Sequence, residues 1–230
     1  MTRARQARAE FSRFMLHYRF AVDELLTKIN ILKAEFEHLH DYSPIEHVTS
    51  RVKTLESILD KARRRGIALQ RSALREEMTD IAGVRVVCSF ISDVYWFAEM
   101  LTGQDDIVVL EVKDYIAEPK DNGYRSLHVI VQVPVFLSES IEQMRVELQI
   151  RTAAMDFWAG LEHKIRYKYD GQIPEELVAE LTQAAQTAAE LDAKMEAVHD
   201  VTRRLNEQAG GRGADLSTLP LEVFTEFLDG

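Results

Sequence analysis

The chain of 230 residues has one cysteine, five prolines and ten glycines, and no apolar run approaching the roughly 20 residues of a membrane span. Its lone thiol, Cys88 in VRVVCSF, cannot close an internal disulfide and reads as a core residue of a protein kept in a reducing cytosol. Positive charge is in deficit as well: 28 Lys and Arg face 38 Asp and Glu, a formal net charge of -10. That balance argues against a dedicated nucleic-acid binder and makes any local gathering of cations informative. Arg3, Arg5 and Arg8 precede no apolar stretch, so the N-terminus does not read as a secretory signal. The expectation is a soluble, cytoplasmic protein without a membrane partner.

What is present is a 46% hydrophobic fraction, enough for a sizeable core. Between Phe11 and Leu39 apolar residues recur at helical period, predicting a long amphipathic helix. In DYSPIEH, Ser43, Pro44 and Glu46 suit N-cap, first-turn and N3 positions, so a second helix is expected from Pro44 to about Arg65, stopping at Gly66. The runs GVRVVCSF, IVVLEVKDYI, YRSLHVIVQV and MRVELQI then read as strands, with a helix near Ser92 to Leu101 between the first two. The last two form an antiparallel hairpin around a loop holding Pro134 and Ser138 to Ser140. Helices return from about Thr152 to Tyr169 and from Pro174 to about Asn206. In the latter, Leu177, Leu181, Ala184, Ala188, Leu191, Met195 and Val198 form a seam that must pack on something, its own subunit or another. The fold class is α+β: a mixed sheet of about four or five strands framed by long N- and C-terminal helices. The divisions are an N-terminal helix over 1–42, a core over 43–170, a C-terminal helix over 171–206 and a flexible tail over 207–230.

Several residues stand out chemically. Strand geometry puts Glu147, Gln149 and Arg151 on one face while Val146, Leu148 and Ile150 enter the core; a wet face of an antiparallel strand is the plainer explanation. On the expected second helix, Lys53, Ser57, Lys61 and Arg64 fall within about 80° of one another, a solvated basic face or a seat for polyphosphate. Asp80 lies at the mouth of a strand, where acids serve as turn residues; with Glu147 it makes the two-carboxylate set that suits Mg²⁺ sharing phosphate and water ligands. In DYIAEPKDNGYRSLHVIV, Pro119, Asn122 and Gly123 mark a tight loop carrying Lys120. Tyr124, Ser126 and His128 then project to one side, with Arg125, Leu127 and Val129 on the other. Tyr124 suits stacking on a base or covering a sheet edge; His128 suits contact or burial.

The order HVTSRVK, DIAGVRVVCSF, DYIAEPKDNGYRSLH, VELQIRT and FWAGLEHKIRYKY closely resembles the small alarmone synthetases, the stand-alone synthetase branch of the RelA/SpoT family, over roughly residues 14–200. The resemblance implies a magnesium-dependent transfer of pyrophosphate from ATP to the ribose 3′-hydroxyl of GDP or GTP, giving ppGpp or pppGpp and AMP. It implies that Arg51 and Arg85 sandwich adenine and that Lys53, Lys61 and Arg64 hold the ATP phosphates. Asp80 and Glu147 become magnesium ligands, with Glu147 also placed to activate the attacking hydroxyl. Tyr124 stacks on guanine, and Lys120, His128, Gln149 and Arg125 contact the acceptor nucleotide. Asp156 stands where several such enzymes have asparagine, an added charge near the acceptor pocket. A homotetramer built through the helical flanks is implied. His40-Asp41 and His199-Asp200 are isolated dipeptides without a metal cluster, so no hydrolase activity is expected. Trp158 and His163 read as packing residues. The alternatives are a toxin-like relative acting on tRNA or adenosine nucleotides, and a catalytically silent regulator that binds nucleotide or, weakly, single-stranded RNA.

Overall fold

The computed structural model describes residues 3–39, 42–169 and 173–208. Its elements in order are α1 (Arg3–Leu39), β1 (Ile45–Val52), α2 (Leu55–Arg65), α3 (Arg71–Glu77), β2 (Ala82–Cys88) and α4 (Ile91–Thr102). They continue with β3 (Val108–Asp114), β4 (Leu127–Phe136), β5 (Ile141–Thr152), α5 (Ala153–Lys168) and α6 (Glu175–Gln208). The five strands form one mixed sheet in the order β1-β2-β5-β4-β3, as the α+β reading expects. Among the described residues the β2–β5 pairing alone is parallel; the other three are antiparallel.

The sheet is half dry. Along β5 the burial alternates, so Val146, Leu148 and Ile150 enter the core while Glu147 and Gln149 are half-exposed on the other face. Phe14, Tyr18, Leu25 and Ile29 of α1 and Val94 and Phe97 of α4 share a core cluster with Val84, Val86, Val146 and Leu148. Two long helical surfaces thus seal one face, leaving the opposite face to polar side chains from four strands. Cys88 is fully buried, and burial pushes its thiol well above the usual range, as expected of a core thiol.

Three local expectations are corrected. The segment from Ile45 to Val52 is a strand, not the first turns of a helix. Ser43 Oγ accepts from Ile45 N, only two residues on, so it caps a turn and not a helix. Its β-branched residues complete the sheet edge against β2, and that pairing outweighs the local capping signature. The helix begins later, at Thr54, whose side chain accepts from Ser57 N, and ends at Gly66 with φ 68° as foreseen. Lys53 therefore precedes α2, tied by Lys53 N to Ile81 O at 2.8 Å. Secondly, Pro134 lies inside β4, opposite Gln143 of β5, and not in the hairpin loop. The β3 ladder has already ended at Gln132, and a strand edge without that neighbour tolerates proline. Thirdly, α3 adds a short helix that the periodicity did not announce.

The predicted C-terminal seam is divided. Of its members Leu181 is buried against the body, whereas Ala184 is exposed and Leu191, Met195 and Val198 are 50%, 42% and 57% exposed; the buried alanine beside Leu181 is Ala185, outside the predicted seam. The expected flexible tail lies almost wholly outside the described residues, as does His40-Asp41.

Candidate active site

The polar face of the sheet is assembled by register. Arg51 of β1 pairs with Gly83 of β2, Gly83 with Glu147 of β5, and Arg85 with Gln149. On the far side of β5, Gln149 is opposite His128 of β4. Residues from distant parts of the chain therefore stand side by side because the parallel β2–β5 pair places the two strands in the middle. Arg51, Gly83, Arg85, Glu147 and Gln149 line a cleft of about 160 Å³. The Arg51 stem runs across Gly83: an added Cβ would lie 3.7 Å from Glu147 O and 3.9 Å from the Arg51 Cγ and Nε atoms, in ordinary contact with both.

At one end Asp80 receives two cations, Lys53 Nζ at 3.2 Å and Lys61 Nζ at 2.5 Å. Burial pushes the Asp80 carboxyl up, but the Lys61 hydrogen bond and the charges of Lys53 and Lys61 outweigh it and hold the group below its ordinary range. Its other oxygen, Oδ1, is buried and has no hydrogen-bond partner. Arg64 is exposed one turn beyond Lys61 on α2. The basic face foreseen on one helix thus arises from a strand end and a helix together.

In the middle, burial raises the Glu147 carboxyl, while hydrogen bonding and charge from His128 lower it; the Asp80 charge raises it and Gln149 lowers it. The net direction is down, and the two acids sense one another. Gln149 Nε2 donates to Glu147 Oε2 at 3.0 Å, and His128 Nδ1 lies 3.4 Å from Glu147 Oε1. His128 Nε2 is 2.7 Å from the Tyr124 hydroxyl, which accepts from Arg151 Nη2 at 2.6 Å. With Arg151 donating, the phenol proton is free for His128 Nε2, which leaves the Nδ1 proton for Glu147.

Arg151 is the hub at the other end. Only 4% exposed, it donates to Ser126 Oγ, Gln149 Oε1, Tyr124 and Asp156 Oδ1. The same Asp156 oxygen is 3.2 Å from Arg85 Nη1, so one carboxylate joins the two guanidinium groups. Burial lowers the Arg85 pKa, and the Arg151 and Arg51 charges add to this against the opposing pull of Asp156. The sequence placed Arg151 on the site face but assigned it no role; its burial, visible only in the fold, marks it.

The loop before β4 is closed by Gly123 N to Lys120 O at 2.7 Å and by Tyr124 N to Asn122 Oδ1 at 3.2 Å. Lys120 Nζ sits over the rings of Tyr115 and Tyr124 at 4.4 and 4.7 Å. Arg125 is not brought to this cluster: its guanidinium donates to Ile116 O, and it lines a small cavity beside Asp192 of α6. Trp158 packs as expected, 4% exposed with Nε1 donating to Leu181 O, whereas His163 is exposed.

The sequence family described as "Region found in RelA / SpoT proteins" matches residues 50–172. Two proteins of Bacillus subtilis strain 168 are similar along most of their length. The GTP pyrophosphokinase YwaC is 49% identical over 79% of this chain and 86% of its own, and the GTP pyrophosphokinase YjbM is 45% identical over 81% and 87%. Small alarmone synthetase 2 from Bacillus subtilis superposes with a TM-score of 0.76 at 46% identity, covering 83% of this chain and 98% of that one. Small alarmone synthetase 1 bound to its product pppGpp gives 0.78 at 43% identity, covering 83% and 97%. Sequence and fold agree: the chain belongs to the RelA/SpoT family, in its small alarmone synthetase branch.

Proposed function

We propose that this chain transfers the β,γ-pyrophosphate of ATP to the 3′-hydroxyl of GDP or GTP, forming ppGpp or pppGpp and AMP. The observation that carries the reading is the single sheet face on which Glu147 stands between the Asp80–Lys53–Lys61 group and the His128–Tyr124–Arg151 chain. One end offers cations to a polyphosphate, the other offers rings and hydrogen-bond donors to a base, and an ionised carboxylate lies between them. Relatives named GTP pyrophosphokinase, and a synthetase seen with pppGpp, support the choice of nucleotides.

Arg51 and Arg85 flank the adenine of the donor, and Lys53, Lys61 and Arg64 meet its phosphates. The acceptor guanine stacks on Tyr124, replacing the Lys120 ammonium, which turns to the acceptor phosphates. His128 and Gln149 orient the acceptor around Glu147. The acceptor oxygen bonds to the β-phosphorus, and the bond from that phosphorus to the α,β-bridging oxygen breaks. AMP leaves with that oxygen, and the hydroxyl proton passes to Glu147, whose depressed pKa keeps it ionised at neutral pH. Asp80 and Glu147 fit a Mg²⁺ ion, being hard oxygen donors of which Asp80 Oδ1 is buried without a partner. When bound, the ion supplies charge neutralisation on the transferred group. The reaction belongs to the cytoplasm, where these nucleotides are.

The outward part of α6 supports a homotetramer. Leu191, Met195 and Val198 are exposed, and an apolar groove of about 690 Å³ between α5 and α6 is lined by Phe157, Leu161, Ala184, Ala188 and Leu191.

The test is to incubate the protein with ATP, Mg²⁺ and GMP, GDP or GTP separately and identify the products by chromatography. A pyrophosphorylated guanosine product with stoichiometric AMP is expected. In Glu147→Gln synthesis falls by about a hundredfold or more while nucleotide binding persists; equal turnover would refute the assigned role. Turnover on tRNA without guanine nucleotide would point to the toxin-like reaction instead.

A further inference from the structure

Helix α6 reaches the walls of the acceptor pocket at points that the chemistry above does not use. Asp192, 6% exposed, accepts at Oδ2 from Thr152 Oγ1 at 2.8 Å. Thr152 is fully buried and is the N-cap of α5, where the same oxygen accepts from Met155 N at 3.2 Å. A hydroxyl carries one proton, so committing it to Asp192 fixes the rotor and aims a lone pair at the helix N-terminus. Thr152 follows Arg151, and Asp156 lies one residue past the capped amide, so both partners of the Arg151–Asp156 pair flank this cap. On the other wall α6 backs the loop that carries Tyr124. A Cβ added at Gly123 would lie 2.5 Å from the Ala185 Cβ, so the loop is seated directly on the helix.

A buried carboxylate facing a hydroxyl costs more than an apolar residue of similar size at the same place. Its neighbours in the cavity include the apolar Ala185, Ala188, Ala189 and Met155, and Arg125, whose charge partly offsets the cost of burying the acid. The hydrogen bond that the acid makes there is to the Thr152 hydroxyl, with the Arg125 charge beside it, so it does more than fill space.

We propose that Asp192 is a positioning residue for the acceptor nucleotide, setting the start of α5 through the Thr152 hydroxyl and thereby the Asp156–Arg151–Tyr124 chain. This rests on the assignment of that pocket to the guanine nucleotide. It carries the consequence that α6, whose outer face is apolar and exposed, is mechanically joined to acceptor binding.

The test is steady-state kinetics on the full chain with ATP and the guanine nucleotide varied separately. Asp192→Ala raises the acceptor KM about tenfold, the scale of one hydrogen bond to a charged group, and leaves the ATP KM unchanged. Asp192→Asn, whose amide oxygen still accepts the proton, restores most of the loss. Thr152→Val reproduces Asp192→Ala and Thr152→Ser behaves as the parent. Circular dichroism and melting check that each variant folds; if Asp192→Ala does not, the Thr152 pair and Asp192→Asn decide. A parallel rise in both Michaelis constants, a loss confined to kcat, or no difference between Thr152→Val and Thr152→Ser overturns the proposal. Failure of the parent protein to make any guanosine product would refute the functional reading instead, and is recorded before any variant is compared.

Discussion

Asp80 shows how one side chain is held ready by its neighbours. Burial raises its pKa, and the lysines outweigh that, so the folded value lies below the ordinary 3.8. An acid depressed in this way contributes stability in full above its unfolded pKa and loses it as pH falls through the folded value. Asp80→Asn should therefore lower the urea midpoint at pH 7 by the equivalent of about 1–3 kcal/mol, leaving Lys53 and Lys61 to repel each other. The gap between parent and variant should narrow as pH falls below 3.8, where the unfolded chain's carboxyl takes up its proton, and close at the lower pH where the folded parent's does. Urea titrations at several pH values read both effects; a gap that widens on acidification would contradict the sign. The candidate acids themselves were legible from residue type and strand position. What was not legible was the commitment of both lysines to one of them, because Lys53 and Lys61 reach Asp80 only when α2 lies beside the end of β2.

Among the elements, two glycines at positive φ do different work. Gly66 ends α2 at φ 68° with nothing within 4 Å of an added Cβ, so Gly66→Ala costs backbone strain alone, about 1 kcal/mol. Synthesis by that variant should be retained, and thermal melting should show the shift. Gly123 combines φ 81° with the Ala185 contact, so Gly123→Ala strains the backbone and also pushes the Tyr124 loop off α6. The expected result is a larger loss of stability, above about 2 kcal/mol, together with a raised acceptor KM. The helix stop at Gly66 was readable from sequence because a C-cap is local chemistry. The start of α2 was misread because the Ser43-Pro44-Glu46 signature is equally local, whereas the strand that replaced it is stabilised by partners 30 (Val52 to Ala82) to 43 (Ile45 to Cys88) residues away in β2. The hairpin of β4 and β5 was readable, but Pro134 within it was not: whether a proline interrupts a strand depends on whether that side has a neighbour.

At the scale of the whole molecule, one face of the sheet is sealed by α1 and α4 while the other carries the polar side chains of the candidate site, and α5 and α6 line an apolar groove on the exterior. On the homotetramer reading proposed above, with that exterior as the assembly surface, Phe157→Glu together with Leu191→Glu lowers the assembly mass, read by light scattering across a concentration series. An unchanged mass would exclude this groove as the interface. Periodicity and composition by themselves determined the α+β class, the long flanking helices and the core position of the lone thiol, since each depends on spacing within one segment; Asp80 and Glu147 were candidates whose role came from the resemblance. Only the tertiary structure decided that the edge segment is a strand, that Arg151 is the buried hub, that Arg125 turns aside and that Asp192 reaches the α5 cap. These follow from which strands become neighbours, and the parallel β2–β5 pairing that brings Asp80 near Glu147 is a choice made by the packed core and not by either segment alone.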